Sequence, residues 1–426
     1  MKKVLVITYY WPPAGGPGVQ RWLKFVKYFP DNGIQPYVYI PENPHYPLKD
    51  ASFTSEIPTE ATIIKRPIRE PYGVAKLFSK KNTQKMSSGI ITPKNPSFLS
   101  KLMLFVRGNL FVPDARVGWV KPSVSFLEKY LVEHNIDTVI TTGPPHSLHL
   151  IGLKLKKKLA ITWLADFRDP WTTIHYHSSL RLTASSEKKH KALEHTVLNT
   201  ADQITVTSPT TKKEFEAITK KPISVITNGF EALSFKKVQL DSKFSMAHIG
   251  SLLTERNPIV LWQVLKELKE EHPTFSNDFS LILAGVVSEE VIKSINNFNL
   301  QDQLDVKGYV SHEEALQLQR SSQLLLLLEM DKPETKAIIP GKLFEYLQAR
   351  RPIVAIGPQG SDIDGVLNET KSGLFFTPQN KEALKSHILA SYKLYVNDQL
   401  RVDSASIGHF SRENLTSQMA GLLKSL

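Results

Sequence analysis

The sequence predicts two α/β domains, each a doubly wound parallel sheet. Short β-rich apolar runs alternate with helix-length amphipathic stretches, the pattern of strands joined by crossover helices. The chain has 426 residues, enough for about two domains. The pattern also restarts after residue 240, where Leu240-Asp241-Ser242-Lys243 reads as a linker.

Strands are expected in the first half at 3–9, 35–40, 61–65, 137–142, 160–165, 203–207 and 223–227. In the second half they are expected at 244–250, 279–285, 303–308, 323–329, 352–356 and 373–376. Helices are expected between them, among others at 17–29, 122–134, 187–200, 257–271, 311–320, 341–350 and 380–396. Domains over 1–240 and 241–405 follow, with no internal repeat and no low-complexity tract.

With 41% hydrophobic and 22% charged residues the chain reads as an ordinary globular protein. It contains no cysteine, which excludes disulfides, thiolate metal sites and a cysteine nucleophile and suits a reducing cytoplasm. Met1-Lys2-Lys3 followed by Val4-Leu5-Val6-Ile7-Thr8 is too short for a signal peptide and reads as a buried first strand. No apolar run approaches the roughly 20 residues that cross a bilayer. The expectation is a cytoplasmic protein, soluble or peripheral on the inner face of the membrane.

The net charge is +12, and it is unevenly placed. Residues 1–200 carry 28 Lys and Arg against 14 Asp and Glu, whereas the remainder carries 25 against 27. Such asymmetry points to an anionic partner for the first half. Residues 71–121 break the strand–helix rhythm there. Lys76-Leu77-Phe78-Ser79-Lys80-Lys81 and Lys101-Leu102-Met103-Leu104-Phe105-Val106-Arg107 interleave cations with large apolar groups. That interleaving suits an anionic membrane surface, where Lys and Arg snorkel while Leu and Phe insert. A solvated insertion packed on its domain is the alternative. No nucleic-acid motif accompanies the charge, so nucleic acid is not expected as a partner.

Five motifs carry chemistry. The first is Trp11-Pro12-Pro13-Ala14-Gly15-Gly16-Pro17-Gly18-Val19-Gln20-Arg21, directly after the first strand. Gly16 and Gly18 let the backbone approach a ligand, and Pro17 opens a helix whose N–H groups face an anion. A tight structural turn is the competing reading. The dinucleotide fingerprint is excluded, because Arg21 stands where its third glycine belongs.

Thr141-Thr142-Gly143-Pro144-Pro145-His146-Ser147 comes second. It places His146 at the carboxyl end of a strand, where open α/β sheets bind ligands. Third is Ala165-Asp166-Phe167-Arg168-Asp169-Pro170-Trp171. Asp166 and Asp169 flanking Arg168 form either a structural ion-pair knot or an acceptor site with one carboxylate as base. Trp171 either stacks on a sugar face or covers the core.

The fourth motif, His248-Ile249-Gly250-Ser251-Leu252-Leu253-Thr254-Glu255-Arg256-Asn257, ends a strand in a loop with one cation, Arg256. The fifth runs from Thr335 through Pro340-Gly341-Lys342 to Glu345-Tyr346. It opens a helix that sets Lys342 and free N–H groups beside a diphosphate, with Glu345 reaching ribose hydroxyls. Asp362-Ile363-Asp364 has the spacing of a divalent-cation motif, but it begins a helix, where Asp caps N–H groups. No metal site is expected, since hard cations need more converging oxygens.

These motifs, in this order, resemble the retaining glycosyltransferases of family 4, with GT-B architecture. The resemblance is strongest to bacterial cell-surface polysaccharide members that open on Tyr-Tyr-Trp-Pro-Pro and Gly-Gly-Pro-Gly. It extends through Gly-Pro-Pro-His-Ser at 143–147, Asp-Phe-Arg-Asp-Pro-Trp at 166–171, Thr-Asn-Gly at 227–229 and Lys307-Gly308-Tyr309-Val310. It ends on the most specific cluster, Lys342-Leu343-Phe344-Glu345-Tyr346 before Arg351-Pro352-Ile353-Val354.

The resemblance implies two Rossmann-like domains facing across a cleft, with the helix of 406–426 returning to the first. It implies transfer of a hexose-type sugar from a UDP- or GDP-sugar to the hydroxyl of a glycan or lipid-linked acceptor, with retention. The donor residues it implies are Gly16, Gly18, Ser251, Arg256, Pro340, Gly341, Lys342 and Glu345. His146, Asp166 and Asp169 are the catalytic candidates, and Arg168 and Trp171 the acceptor residues. No cofactor or metal is expected beyond the sugar nucleotide.

The chain departs from the family at two places. Ala337 stands where the first of two glutamates eight positions apart is usual, and Glu334 is the nearest carboxylate that can substitute. Ser251 replaces an arginine, while Arg256 occupies the usual lysine position. These departures favour one rival, a catalytically silent glycosyltransferase-like binding subunit. The other rival is a sugar-nucleotide 2-epimerase of the same architecture.

Overall fold

The computed structural model describes residues 1–70, 98–175, 177–232, 238–402 and 407–426. The chain forms two compact units, Met1–Thr227 with Arg412–Leu426, and Asn228–Ser411. The division therefore falls at residue 227, ahead of the linker expected at 240. The reason is local. Phe230 bridges to Ser411 and donates its N–H to the Phe410 carbonyl at 3.1 Å, and both phenylalanines are buried in the second unit's core.

The first unit contains strands β1 (Lys2–Ile7), β2 (Ile34–Pro41), β3 (Thr62–Arg66), β4 (Thr138–Gly143), β5 (Thr162–Phe167), β6 (Gln203–Val206) and β7 (Ile223–Val225). Its helices are α1 (Pro17–Tyr28), α2 (Phe98–Leu110), α3 (Val120–Glu133), α4 (Ser147–Lys158), α5 (Ala184–Thr200) and α6 (Pro209–Glu216). The strands lie in the order β3-β2-β1-β4-β5-β6-β7, all pairs parallel.

The second unit contains β8 (Phe244–Ile249), α7 (Ile259–Glu271), α8 (Pro273–Asp278), β9 (Phe279–Ala284), α9 (Glu289–Asn297) and β10 (Leu304–Gly308). It continues with α10 (His312–Ser321), β11 (Leu324–Leu328), α11 (Gly341–Ala349), β12 (Ile353–Ile356), α12 (Asp362–Thr370), β13 (Gly373–Phe376) and α13 (Lys381–Val396). Its order is β10-β9-β8-β11-β12-β13, again all parallel. Each unit is a Rossmann-like domain. In both, the order reverses beside the first strand, between β1 and β4 and between β8 and β11, the switch points where such sheets bind ligands.

The five leucines of β11 show why the sheet is buried on both faces. Successive side chains point to opposite faces of a strand. Leu324, Leu326 and Leu328 join the core under α7 and α13, and Leu325 and Leu327 join the one under α11. Five fully buried leucines contribute roughly 1.5–3 kcal/mol each in transfer free energy, so this strand fixes where residue 329 emerges.

The last helix, α14 (Arg412–Ser425), belongs to the first unit. Leu415, Met419, Ala420 and Leu423 bury one face in that core, and Arg412 donates to the Gln20 side chain of α1 at 3.1 Å. Of the basic insertion, Lys76-Leu77-Phe78-Ser79-Lys80-Lys81 lies outside the described residues. The stretch 101–107 falls within α2, where Phe105 is 42% and Leu110 is 72% exposed. Among the described residues no helix is long and apolar enough to cross a membrane.

Candidate functional site

At the switch point of the second sheet, α11 is aimed by its own periodicity. Tyr346 accepts the Ile249 N–H at 2.9 Å, tying the helix to the end of β8. Lys342 lies four residues earlier, on the same helix face, so its ammonium comes down on Gly250. The φ of Gly250 is +124°, which requires glycine, and a Cβ there would stand 3.0 Å from Lys342 Nζ. His248 fixes the other side. Its Nδ1 is 3.0 Å from the Leu326 carbonyl and must donate there, which leaves Nε2 to accept from Lys342 Nζ at 3.4 Å. Burial lowers the Lys342 pKa to about 8, against the pull of Glu329.

Arg256, in the loop after β8, reaches Glu329 at the end of β11, Nε to Oε2 at 3.2 Å. The Glu329 side chain is 2% exposed and that of Arg256 27%. Burial raises the Glu329 pKa despite Arg256 and Lys342. Glu345 accepts from Gln319 at 3.1 Å. Pro340 caps α11 without a side-chain hydrogen bond, the Leu343 N–H donates to the Pro340 carbonyl at 3.0 Å, and nothing lies within 4 Å of a Cβ at Gly341, so no side chain covers the start of the helix. Ser251 is exposed. Arg256, Pro340, Gly341, Lys342 and Glu345 thus stand on adjoining loops and one helix of the second unit. Glu329, which holds Arg256 and lies within electrostatic reach of Lys342, is not among the residues the sequence singles out.

In the first unit the switch point is built differently. Gly16 (φ +92°) caps α1 with no side-chain hydrogen bond. A Cβ at Gly18 would stand 2.5 Å from Arg168 Nη1, so that glycine makes room for the guanidinium. Arg168 also donates to the Pro144 carbonyl. His146 is 8% exposed, lies parallel to the Trp171 ring at 4.9 Å between centroids, and has no hydrogen-bond partner on either ring nitrogen. Burial, then His149 and Arg168, hold its pKa well below the ordinary histidine value, so the ring is neutral. His149, whose Nδ1 meets Thr141 Oγ1 at 2.8 Å, is lowered to about 3 by burial.

Two candidates are built into the core here. Asp166 is fully buried. Its Oδ1 receives Arg21 Nη2 and Thr205 Oγ1, both at 2.8 Å, and its Oδ2 receives Trp22 Nε1 at 2.8 Å, Thr142 Oγ1 at 2.9 Å and Arg21 Nε at 3.3 Å. Burial raises its pKa, but Arg21 and these donors outweigh it and the net shift is downward. A carboxylate so saturated is no base, and its partner is Arg21, not Arg168. Trp171 is 2% exposed, its indole N–H donating to His190 Nδ1 at 3.1 Å, so it covers the core instead of offering a sugar platform. Asp169 is half-buried, its pKa raised by burial against Arg168 and His175. Glu334 is exposed in a short turn at Pro333–Thr335. Asp362 and Asp364 lie in the first turn of α12, which Ser361 caps.

Two Rossmann-like sheets, with cations and an open helix N-terminus at the second switch point, define a GT-B type of enzyme. Residues 18–232 match the family model described as Glycosyltransferase Family 4, and residues 230–403 match Glycosyl transferases group 1. The chain belongs to glycosyltransferase family 4. The sequence matches none of the curated proteins. Its fold is similar to that of sucrose-phosphate synthase from Thermosynechococcus elongatus, at 13% identity and TM-score 0.62, covering 100% of this chain and 99% of that one. It is similar also to Anabaena HepE in complex with UDP and glucose, at 14% identity and TM-score 0.61, covering 100% of both chains. A putative UDP-N-acetylglucosamine 2-epimerase from Listeria monocytogenes shares the fold at 12% identity and TM-score 0.56, covering 100% of this chain and 96% of that one.

Proposed function

We propose that this glycosyltransferase moves a hexose-type sugar from a UDP- or GDP-sugar to an acceptor hydroxyl, with retention, in cell-surface polysaccharide or glycolipid synthesis. The observation that carries the reading is the pairing of Lys342 and Arg256 with the uncapped N-terminus of α11 at a topological switch point. Cations and helix N–H groups together stabilise the charge that develops on a departing diphosphate. Glu345 takes the ribose hydroxyls, and the exposed Ser251 after Gly250 leaves room around the donor. The UDP and glucose bound by the Anabaena protein support a nucleotide-sugar donor here.

The first unit takes the acceptor in this reading, with Arg168 as an acceptor contact. His146 is its candidate at the chemical step: a neutral imidazole with two unfilled nitrogens can donate to or accept from a sugar hydroxyl. Asp169, half-buried beside Arg168, is the remaining carboxylate candidate. The diphosphate charge is met by protein groups alone, so no metal is required. The excess positive charge of the first half suits an anionic membrane surface.

Thermal unfolding with UDP and with GDP, each with and without chelator, tests the reading. One diphosphate should raise the melting temperature equally in both conditions. Stabilisation that vanishes with chelator rejects metal independence, and none from either nucleotide rejects the site. The Listeria neighbour keeps the epimerase reading in view. An epimerase would convert UDP-N-acetylglucosamine with no acceptor present.

A further inference from the structure

Glu329 has no role in the reading above, and its position is costly. The residue is 7% exposed, and its Cβ stands 3.3 Å from where a Cβ at Gly357 would be, so the stem is held by the end of β12. One carboxylate oxygen is engaged by Arg256, whereas Oε1 is buried with no hydrogen-bond partner. An unsatisfied buried acceptor on a charged group is expensive, and natural structures fill such atoms. Holding Arg256 explains Oε2 alone. Moreover, an anion set between Arg256 and Lys342 opposes the binding of a diphosphate to the same cations.

We infer that Glu329 reads the transferred sugar, its Oε1 accepting a hydrogen bond from one of that sugar's hydroxyls. The inference rests on the proposed nucleotide site and deepens it. An empty acceptor needs a donor, and the ionised diphosphate has none to give. The ribose hydroxyls fall to Glu345, which Gln319 steadies from the other side. The remaining hydroxyls of a sugar nucleotide are those of the sugar, which is bonded directly to the diphosphate that Arg256 and Lys342 hold. The charged and titratable groups around Glu329 are Arg256 from the loop after β8 and Lys342 from α11, with His248 of β8 and Glu345 of α11 acting through Lys342. Burial raises the Glu329 pKa even beside Arg256 and Lys342. Glu334, exposed in its turn, has no such vacancy to fill.

Calorimetric titration of UDP, UDP-glucose, GDP and GDP-mannose into the parent and into Glu329→Gln tests this. The nucleotide that binds should bind the parent more tightly as its sugar conjugate than as the bare diphosphate. In the variant that preference should fall by about ten- to a hundredfold, while the bare diphosphate binds as well or better, because a repelling charge has gone. A preference kept in the variant overturns the inference. Equal weakening of diphosphate and conjugate also overturns it, since Glu329 then only positions Arg256. If the parent binds no diphosphate, the nucleotide site itself is wrong and both readings fall. Deoxyfluoro conjugates titrated into the parent make the test independent of the variant's folding. Fluorine cannot donate, so one ring position should cost the preference, and indifference at every position overturns the assignment.

Discussion

Asp166 and Glu329 are the same kind of residue in two different states. Each is a buried carboxylate at the end of a parallel strand, and each has an arginine partner, Arg21 or Arg256. Asp166 is filled by Arg21, Trp22, Thr142 and Thr205, and its pKa goes down. Glu329 has a single donor, an empty oxygen and a pKa that goes up. Burial and charge are common to both, so neither separates structure from function. Saturation does. A closed network specifies the core of the first unit, and an open one in the second leaves an acceptor oxygen unfilled.

The comparison can be broken most forcefully at Asp166. Asp166→Asn leaves Arg21 buried without its counter-charge and should cost roughly 3–5 kcal/mol of stability, read by denaturant unfolding. The folded protein should bind diphosphate as the parent does. A stable Asp166→Asn protein with lost turnover would restore Asp166 as a catalytic group. A smaller effect is expected at Lys342. Lys342→Met should weaken diphosphate binding by about ten- to a hundredfold without loss of fold, because a buried ammonium is replaced by an apolar chain of similar length.

His146→Ala sharpens the contrast from the first unit's side. It should lower turnover by about tenfold or more and leave diphosphate affinity near that of the parent. Unchanged turnover would make His146 a packing partner of Trp171. The mildest effect is one of pH. Lys342 titrates near pH 8 in the free protein, and a bound diphosphate raises that value. Affinity should therefore be full below pH 8 and decline above it, by at most about tenfold per pH unit. With the ammonium removed, the Lys342→Met profile should be flat. A parent profile equally flat would remove Lys342 from the site.

The strands were legible because most are short, apolar and bounded by turn residues. Even the five leucines from Leu324, which periodicity alone cannot orient, stand where the run predicts them. The strand-end motifs were legible for the same reason, since glycines and prolines mark where the backbone turns toward a ligand. The partners were not. Asp166 sits two residues from Arg168, yet its counter-ion is Arg21, 145 positions away in sequence and brought in by α1. Trp171 carries the polar handle of a sugar platform, but His146 and His190 occupy its face and edge. Glu329 went unseen because it closes an apolar run and reads as the tail of a strand. The one sequence signal that could have found it is a charge directly after five leucines that are otherwise wholly buried.

The most direct test of the open site is a crystal structure of the chain with UDP or GDP. The diphosphate oxygens should lie within hydrogen-bond distance of Lys342 Nζ, the Arg256 guanidinium and the first N–H groups of α11, with the ribose at Glu345. A nucleotide held elsewhere, with Lys342 still resting on Gly250 and His248, would contradict the account.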